Sequence, residues 1–382
     1  MMEKILRALE RKERDMLALL ERLVHVDSGL DNPAGLQECA EIVGSKMSAM
    51  GFSTEYLSYP GVCTHVLGRK KGVESGKRVM LTGHLDTVFL TGTAAKRPFT
   101  IRDGRAYGPG VADMKGGVVM ALFVLEAMYE QGWNDKDVTV FFCGDEETGH
   151  PKTDAAEIFM REGKGQDGVF CLEPGRPNGE VVIGRKGVLI PEMTITGLSA
   201  HAMEPAKGVS AIHEMIQKAA ALYRLQDAER GIFCNVGIVK GGTGASVVAD
   251  RAYLRFSIRF DKMADGEKLL SAVREIAAKT YVPGTKAELK DDRFLYIPFE
   301  TTDDVHKMFS LVRICAGRLG IAEIGALFQA GGSDACWTAS VGAPTICGMG
   351  PVGGFYHNER EYIDIKGLMD RAKLLALCID AV

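Results

Sequence analysis

The sequence lacks the features that mark several common classes of protein. The apolar run at 117–128 is too short to span a bilayer, and Glu126 interrupts it. There is no basic cluster, and the net charge of −4 gives no indication of nucleic-acid binding. There is also no internal repeat and no low-complexity segment. These absences favour a globular protein whose partners are neither nucleic acids nor membranes.

The cysteine pattern gives no indication of disulfides or of a thiolate metal site. The nine cysteines are an odd number, and no two of them form a Cys-x-x-Cys pair. This favours reduced thiols over a disulfide framework or a thiolate zinc site. The first residues, MMEKILRALERKERD, alternate charged and apolar side chains and lack the apolar centre of a signal peptide. We therefore expect an amphipathic helix there and a cytoplasmic location.

Apolar periodicity predicts an α/β domain. The 382 residues are 46% apolar and 25% charged, which is ordinary for a globular chain of two domains. Short apolar runs at 79–82, 138–143 and 169–172 end in glycine or acidic residues, as buried strands of a parallel sheet do. The segment 115–131 has an apolar packing face and predicts a helix. In such sheets, ligands gather beyond the carboxyl ends of the strands.

The pattern changes after Gly187 and changes back after Pro298. Between these points the chain alternates polar and apolar residues in predicted strands and carries two amphipathic helices. The strands are 188–196 and 253–260, and the helices are 209–225 and 266–279. A buried strand is again predicted at 344–347. We therefore predict a large domain in two pieces, 1–187 and 298–382, with a small α+β domain, 188–297, inserted between them.

Acidic residues and histidines follow the predicted strands. These clusters are Gly83-His84-Leu85-Asp86, Ala112-Asp113, Asp145-Glu146-Glu147 and Leu172-Glu173-Pro174, with Tyr356-His357-Asn358-Glu359 near the end. Oxygen ligands mixed with imidazole suit zinc or similar divalent ions. Each motif is weak alone: His25-Val-Asp27 has the same His-x-Asp spacing in a helical stretch, where we interpret it as structural.

Local geometry gives some of these residues separate roles. His84 and Asp86 share a face at a strand end, so Asp86 could fix the imidazole tautomer as a supporting partner. Three consecutive acids are usually a solvated loop. After a buried strand, however, adjacent residues point different ways, so one carboxylate can bind metal while its neighbour faces a bound water. The glycine-rich segment 108–117 matches no phosphate loop and is interpreted as bringing Asp113 inward.

Taken together, the motifs resemble one enzyme family. GHLDTVFLTG, AYGPGVADMKGG, GDEETG, CLEPG and YHNERE are similar in order and spacing to the di-zinc peptidase family of glutamate carboxypeptidase, acetylornithine deacetylase, succinyl-diaminopimelate desuccinylase and aminoacylase. The glutamate carboxypeptidase branch is the most similar, and the resemblance runs from about Leu17 to the end. It implies an α/β fold of zinc-exopeptidase type: a mixed sheet sandwiched by helices, with an inserted α+β lid and dimerisation domain.

The resemblance implies a role for each motif residue. The first of two zinc ions per chain would be held by His84, Asp113 and Glu173, and the second by Asp113, Glu147 and His357. Glu146 would be the general base and Asp86 would support His84. Co²⁺ may substitute for zinc. A hydroxide shared by the two ions would attack the scissile carbonyl. The resemblance also implies a cis peptide between Asp113 and Met114.

Further residues would bind substrate. His201, in GLSAHAMEP, resembles a lid histidine that reaches the active site of the partner in a homodimer formed through the inserted domain. Arg259 resembles an arginine that grips the substrate carboxylate, and Gly331, Gly332 and Ser333 resemble a substrate-side loop. The sequence departs from the family at three positions. They are Ser246, Ala249 and Met203, where Asn, Pro and Gly are usual.

These residues predict a carboxypeptidase or dipeptidase that acts on a small peptide with a free carboxylate. An N-acyl amino acid deacylase with the same mechanism is the alternative, because both substrates present an amide beside a carboxylate. A non-catalytic relative that only binds is the third reading, and the intact Glu146 argues against it. The remaining histidines and two strand-end cysteines are interpreted as structural or surface residues. They are His25, His65, His150, His213, His306, Cys143 and Cys171.

Overall fold

The chain folds into two compact units. The structure is a computed structural model and describes residues 1–73, 76–321 and 324–382. The large unit comprises Met1–Gly184, Thr301–Phe328 and Ser333–Val382, and the small unit comprises Arg185–Glu300 and Gln329–Gly332. The predicted boundaries lie close to these. One segment differs, because 329–332 was predicted to lie in the large domain and belongs to the small unit.

The helices and strands of the described residues have the following bounds. The helices are α1 Met2–Arg11, α2 Glu13–His25, α3 Pro33–Ala49, α4 Thr93–Lys96, α5 Gly116–Glu130, α6 Ala155–Gly163, α7 Ala211–Tyr223, α8 Met263–Ala278, α9 Asp303–Arg318, α10 Ala335–Ser340 and α11 Ile365–Ala381. The first ten strands are β1 Ser53–Tyr59, β2 Cys63–Lys70, β3 Arg78–His84, β4 Thr100–Arg102, β5 Arg105–Tyr107, β6 Asp137–Cys143, β7 Gly168–Cys171, β8 Val181–Arg185, β9 Gly187–Leu189 and β10 Glu192–Thr196. The others are β11 Ala200–His201, β12 Phe233–Gly241, β13 Val247–Val248, β14 Arg251–Phe260, β15 Lys286–Lys290, β16 Phe294–Tyr296, β17 Ala326–Gln329, β18 Thr345–Ile346, β19 Gly353–Gly354 and β20 Tyr362–Asp364.

The large unit is built on a mixed sheet with the strand order β1-β2-β6-β3-β7-β18. Strand β3 runs parallel to both β6 and β7, and β18 runs parallel to β7. Strands β1 and β2 add an antiparallel extension. The register pairs His84 with Cys143, so β3 and β6 end at the same edge of the sheet. The predicted mixed α/β sheet is therefore confirmed.

Helices cover this sheet. Helix α5 is buried along most of its length because it packs on β3 and also against α1, α2 and α11. Helix α3 packs on β2, and α6 packs on β6 and against α10. The predicted amphipathic helix at the start of the chain is α1, which buries Ile5 and Leu9. All nine cysteines are free and buried.

The small unit is an antiparallel sheet with two helices. Its strand order is β15-β10-β14-β9-β16, and β12 also pairs with β14. Side chains alternate between buried and more exposed along β14, and the buried face packs against α7 and α8. The predicted α+β unit is thus observed, with one difference. The strand predicted at 188–196 is divided into β9 and β10 around Pro191, whose ring nitrogen has no hydrogen to donate to a ladder.

None of the described helices combines the length and the apolar composition needed to cross a bilayer.

Candidate active site

Three neighbouring strands of the large unit deliver acidic and histidine side chains to one edge of the sheet. His84 is the last residue of β3, and Glu146 and Glu147 form a 3₁₀ turn just after β6. Glu173 follows the end of β7. Asp113 lies in a kinked turn before α5, and His357 lies between β19 and β20. Parallel strand ends meet at one edge, which is why residues so distant in sequence come together.

The five predicted ligands form two groups that share Asp113. In the first group, His84 Nε2 lies 3.2 Å from Asp113 Oδ1 and 3.8 Å from Glu173 Oε1. In the second, His357 Nε2 lies 3.2 Å from Asp113 Oδ2 and 3.4 Å from Glu147 Oε2. Within each group the potential ligand atoms lie within 4.8 Å of one another. Asp113 therefore offers one oxygen to each group.

The donor set fits two divalent cations. Burial, and then the charges of neighbouring acids, raise the pKa of Glu146 well above its usual range, although His84 opposes this. Burial also raises the pKa of Glu147. Buried Oε1 of Glu147 has no hydrogen-bond partner among the residues that the structure describes. Crowded carboxylates with an unsatisfied oxygen, mixed with imidazole nitrogens, are what a zinc-like cation stabilises.

Asp86 holds both a ligand and the turn beside it. His84 Nδ1 donates to the Asp86 backbone carbonyl at 3.0 Å, with the carboxylate at 3.4 Å, so Nε2 is directed at Asp113. Burial opposes protonation of His84, but hydrogen bonds to Asp113 and Asp86 raise its pKa well above the usual range. The Asp86 carboxylate accepts the N–H groups of Glu146 and Glu147 at 3.1 and 2.9 Å. The expected clamp on His84 is therefore made mainly by the Asp86 carbonyl.

Glu361 is a supporting residue that the sequence analysis missed. Its fully buried carboxylate accepts the N–H groups of Ala112 and Asp113 at 2.9 Å and that of Gly110 at 3.0 Å. Burial is the chief reason that the pKa of Glu361 rises to about 7. These bonds fix the turn that carries Asp113. The only sequence signal was its place at the end of YHNERE, where we had assigned His357 alone.

The backbone around two ligands has unusual conformations. The peptide between Asp113 and Met114 is cis, as the resemblance implied. His357 and its neighbour Phe355 have φ values of 59° and 58°, in the left-handed region that favours glycine. Strained non-glycine residues of this kind cluster at functional sites.

Arg259 lies with the 329–332 segment inside the small unit. Its Nη1 donates to the Ala330 carbonyl at 3.3 Å. Arg185 Nη1 donates to the Gly332 carbonyl at 2.8 Å and to that of Gly331 at 3.4 Å. Two guanidinium groups therefore hold this segment. Arg259 is half-buried, and desolvation lowers its pKa.

His201 is an exposed residue of β11 in the same unit. Its Nδ1 accepts the N–H of Met203 at 3.1 Å, which directs Nε2 away from its own loop. Met203 itself is 83% exposed. Across the two-stranded ladder, the Ala202 N–H donates to the Ser246 carbonyl at 2.9 Å. Two of the residues that depart from the family pattern, Met203 and Ser246, thus lie next to His201.

Ser333 requires a correction. Its side chain is fully buried in the large unit, where the hydroxyl lies 3.7 Å from Cys171 Sγ and 3.5 Å from Cys347 Sγ. A hydroxyl enclosed by two thiols packs the core and does not offer itself to a substrate. Only Gly331 and Gly332 of the predicted loop keep that interpretation.

The remaining histidines divide into surface and core residues. His25, His213 and His306 are exposed, while His65 and His150 are buried. Asp27, in the His25-Val-Asp27 motif, accepts the N–H groups of Gly92 and Ala94. That motif is therefore structural.

Comparisons with known proteins identify relatives of this chain. The sequence profile of peptidase family M20/M25/M40 matches residues 80–381. Carboxypeptidase G2 from Pseudomonas sp. strain RS-16 is 28% identical over 373 residues, which cover 95% of this chain and 88% of that protein. A succinyl-diaminopimelate desuccinylase from Burkholderia ambifaria is 28% identical over 377 residues, covering 92% and 94%.

Solved structures share the fold. A tripeptidase from Staphylococcus aureus superposes with a TM-score of 0.80 at 23% identity, covering 96% of this chain and 97% of that one. Since the family profile spans most of the sequence, the protein belongs to peptidase family M20/M25/M40 and is a hydrolytic metalloenzyme.

Proposed function

We propose that the protein is a di-zinc carboxypeptidase or dipeptidase that hydrolyses the amide bond beside a C-terminal amino acid with a free carboxylate. The observation that carries this proposal is that the two carboxylate oxygens of Asp113 contact different histidines. Oδ1 lies 3.2 Å from His84 Nε2, and Oδ2 lies 3.2 Å from His357 Nε2. A carboxylate placed in this way suits a bridge between two cations.

Each of the two ligand groups would hold one zinc ion. His84 and Glu173 would hold one zinc, Glu147 and His357 the other, and Asp113 both. Bound zinc supplies a Lewis acid that lowers the pKa of water to about 7 and polarises a carbonyl. Asp86 and Glu361 keep the ligand-bearing turns in place through the backbone bonds described above.

Glu146 would move the proton. It belongs to neither ligand group, and burial raises its pKa well above the usual range, which is the direction of shift that a carboxylate general base needs. It would take a proton from the attacking water and pass it to the leaving amine nitrogen. Glu147, the next residue, is directed to His357 instead.

Arg259 would recognise the substrate carboxylate. A guanidinium presents paired donors that match a carboxylate, which an ammonium group cannot do. Nη1 of Arg259 donates to the Ala330 backbone carbonyl in the 329–332 segment. We include Gly331 and Gly332 in this binding element because they belong to the same segment. His201 would stabilise negative charge that develops on the carbonyl oxygen.

The alternative is an N-acyl amino acid deacylase that uses the same residues. It is favoured by the desuccinylase relatives, which are as similar in identity as carboxypeptidase G2. A panel of dipeptides and N-acyl amino acids, each as the free acid and as the C-terminal amide, separates the two. We expect hydrolysis of free-acid peptides. Turnover of acyl amino acids alone would favour the deacylase, and turnover of neither would overturn both.

The small unit would form a homodimer. Strand β12 pairs only with β14 in the described sheet and exposes Phe233, Ile238 and Val239. Helix α7 adds exposed Ile216 and Tyr223. An uncovered edge strand with apolar side chains favours association with a second copy. A cytoplasmic location stays a prediction from the sequence.

A further inference from the structure

Beside the site, a line of three buried ionisable side chains remains without a role. His150 Nδ1 lies 2.7 Å from Asp145 Oδ1, and His150 Nε2 lies 2.7 Å from Asp334 Oδ1. The three residues are only 1%, 6% and 2% exposed, in the order Asp145, His150 and Asp334. With a carboxylate at each ring nitrogen, both nitrogens donate, so the imidazole is charged.

The outer oxygens of this line are also occupied. Asp145 Oδ2 accepts from the Thr153 hydroxyl at 2.8 Å, and Asp334 Oδ2 accepts from the Cys143 thiol at 3.1 Å. Asp145 has two further titratable neighbours: His65, whose Nε2 lies 3.9 Å from Asp145 Oδ1, and Cys63, whose potential ligand atom lies within 4.8 Å. Burial opposes the charge on His150, but the Asp334 charge and the hydrogen bond to Asp145 raise its pKa well above the usual range.

This arrangement is a hydrogen-bonded bridge and not an ion site. Cys143, His150 and Asp334 do lie close enough to suggest a metal. The contacts of 2.7 Å, however, are direct hydrogen bonds that use both ring nitrogens, so no ring lone pair is left to bind a cation.

The bridge connects the catalytic turn to two other elements. Asp145 immediately precedes Glu146 and the 3₁₀ turn. Asp334 immediately precedes α10, and Cys143 is the last residue of β6. The Asp86 carboxylate holds the turn through its N–H groups, whereas the bridge holds it from the residue before.

We propose that Asp145, His150 and Asp334 are positioning residues that fix the orientation of Glu146. The proposal rests on the proposed role of Glu146 as the base. Buried ion pairs cost desolvation, and apolar replacements are often as stable or more so, so stability alone does not account for three buried charges. A fixed angle for the turn does account for them, since the two partners of His150 directly precede the 3₁₀ turn and α10.

The test is the substitution His150→Gln, which keeps a donor for one carboxylate and removes the charge. We expect kcat to fall by about 10–100-fold, as for other partners that orient an active site. We expect KM within about 3-fold of wild type, because substrate-binding groups are untouched. Zinc content should stay at the wild-type value. His306→Gln is the control, since it makes the same substitution at an exposed histidine of α9 that makes no contact with the bridge, and its kcat should stay near wild type.

A second variant keeps the proposal testable if His150→Gln does not fold. Asp334→Asn keeps the shape and one acceptor but removes the charge, and we expect a fall in kcat with KM unchanged. The double variant should lose little more than His150→Gln, because both act through one bridge. A kcat equal to wild type in folded His150→Gln or Asp334→Asn, or an equal loss in His306→Gln, would overturn the proposal. All values are ratios to wild type, measured on whichever substrate the wild type hydrolyses. A failure of the proposed bridge is therefore distinguishable from a failure of the proposed reaction.

Discussion

The Asp86 carboxylate accepts the backbone N–H of Glu147 at 2.9 Å, and its other oxygen accepts that of Glu146. One side chain just beyond the carboxyl end of β3 thus fixes the turn that carries the proposed base and a proposed metal ligand. Its role is wider than support of His84.

This relationship predicts the effect of Asp86→Asn. The amide keeps one acceptor but turns its NH₂ group toward the second N–H, so the turn loses one charge-assisted bond worth about 1.5–3 kcal/mol. We expect kcat/KM to fall by about 10–100-fold with reduced zinc affinity. Steady-state kinetics and zinc titration measure both. Asp137→Asn is the control. Asp137 is the first residue of β6 and its carboxylate accepts the Gly72 N–H, so the substitution weakens a similar bond far from the turn, and the kinetics should match wild type.

Glu146 and Glu147 should respond differently to the same substitution. Glu146→Gln keeps the shape but removes the base, so kcat should drop by about 10²–10⁴-fold with zinc retained. Glu147→Gln should instead lose zinc, because it removes a ligand charge. Kinetics paired with elemental analysis distinguish the two. Full activity in Glu146→Gln would refute its assignment as the base.

The Arg259 interaction is tested by changing both partners. Arg259→Lys should reduce kcat/KM by an amount equal to roughly 2–4 kcal/mol of lost transition-state stabilisation. The causes are the lost charge-assisted hydrogen bonds and misplacement of the substrate. Amidation of the substrate C-terminus should harm the wild type to a similar extent and harm the variant little further, since one interaction cannot be lost twice. If wild type cleaves the amide as fast as the free acid, Arg259 binds no carboxylate.

The proposed dimer makes a prediction about complementation. If His201 acts in the active site of a partner, the inactive variants His201→Ala and Glu146→Gln should regenerate activity when mixed, because a mixed dimer contains one intact site. Activity is assayed after subunit exchange has been demonstrated by mass. Exchange without recovered activity would show that His201 does not act across the interface.

The sequence was sufficient to predict the residues that meet at the sheet edge. His84, Glu146 and Glu173 each follow an apolar run that is buried as a strand, and parallel strands end at a common edge. Asp113 and His357 were also among the candidate clusters, but they come from turns whose position no periodicity predicts, and their roles came from the resemblance. The inserted α+β unit was visible as a change from buried runs to alternating strands.

The supporting contacts could not be predicted because they depend on tertiary packing. Glu361 looked like one of several charges in a polar loop, although its carboxylate is buried against the turn of Asp113. His150 was interpreted as structural or surface, and nothing in GDEETGH indicates a partner as distant as Asp334. Ser333 was misassigned because a motif does not reveal which way a hydroxyl points.

Metal stoichiometry tests the central claim most directly. Elemental analysis of the active enzyme, loaded with zinc and freed of excess ions, should give two zinc ions per chain. Chelation should abolish activity, and Zn²⁺ or Co²⁺ should restore it. Asp113→Ala should lose both ions, because its two oxygens serve both ligand groups. No more than one ion per chain in the fully active enzyme would contradict the two-metal account.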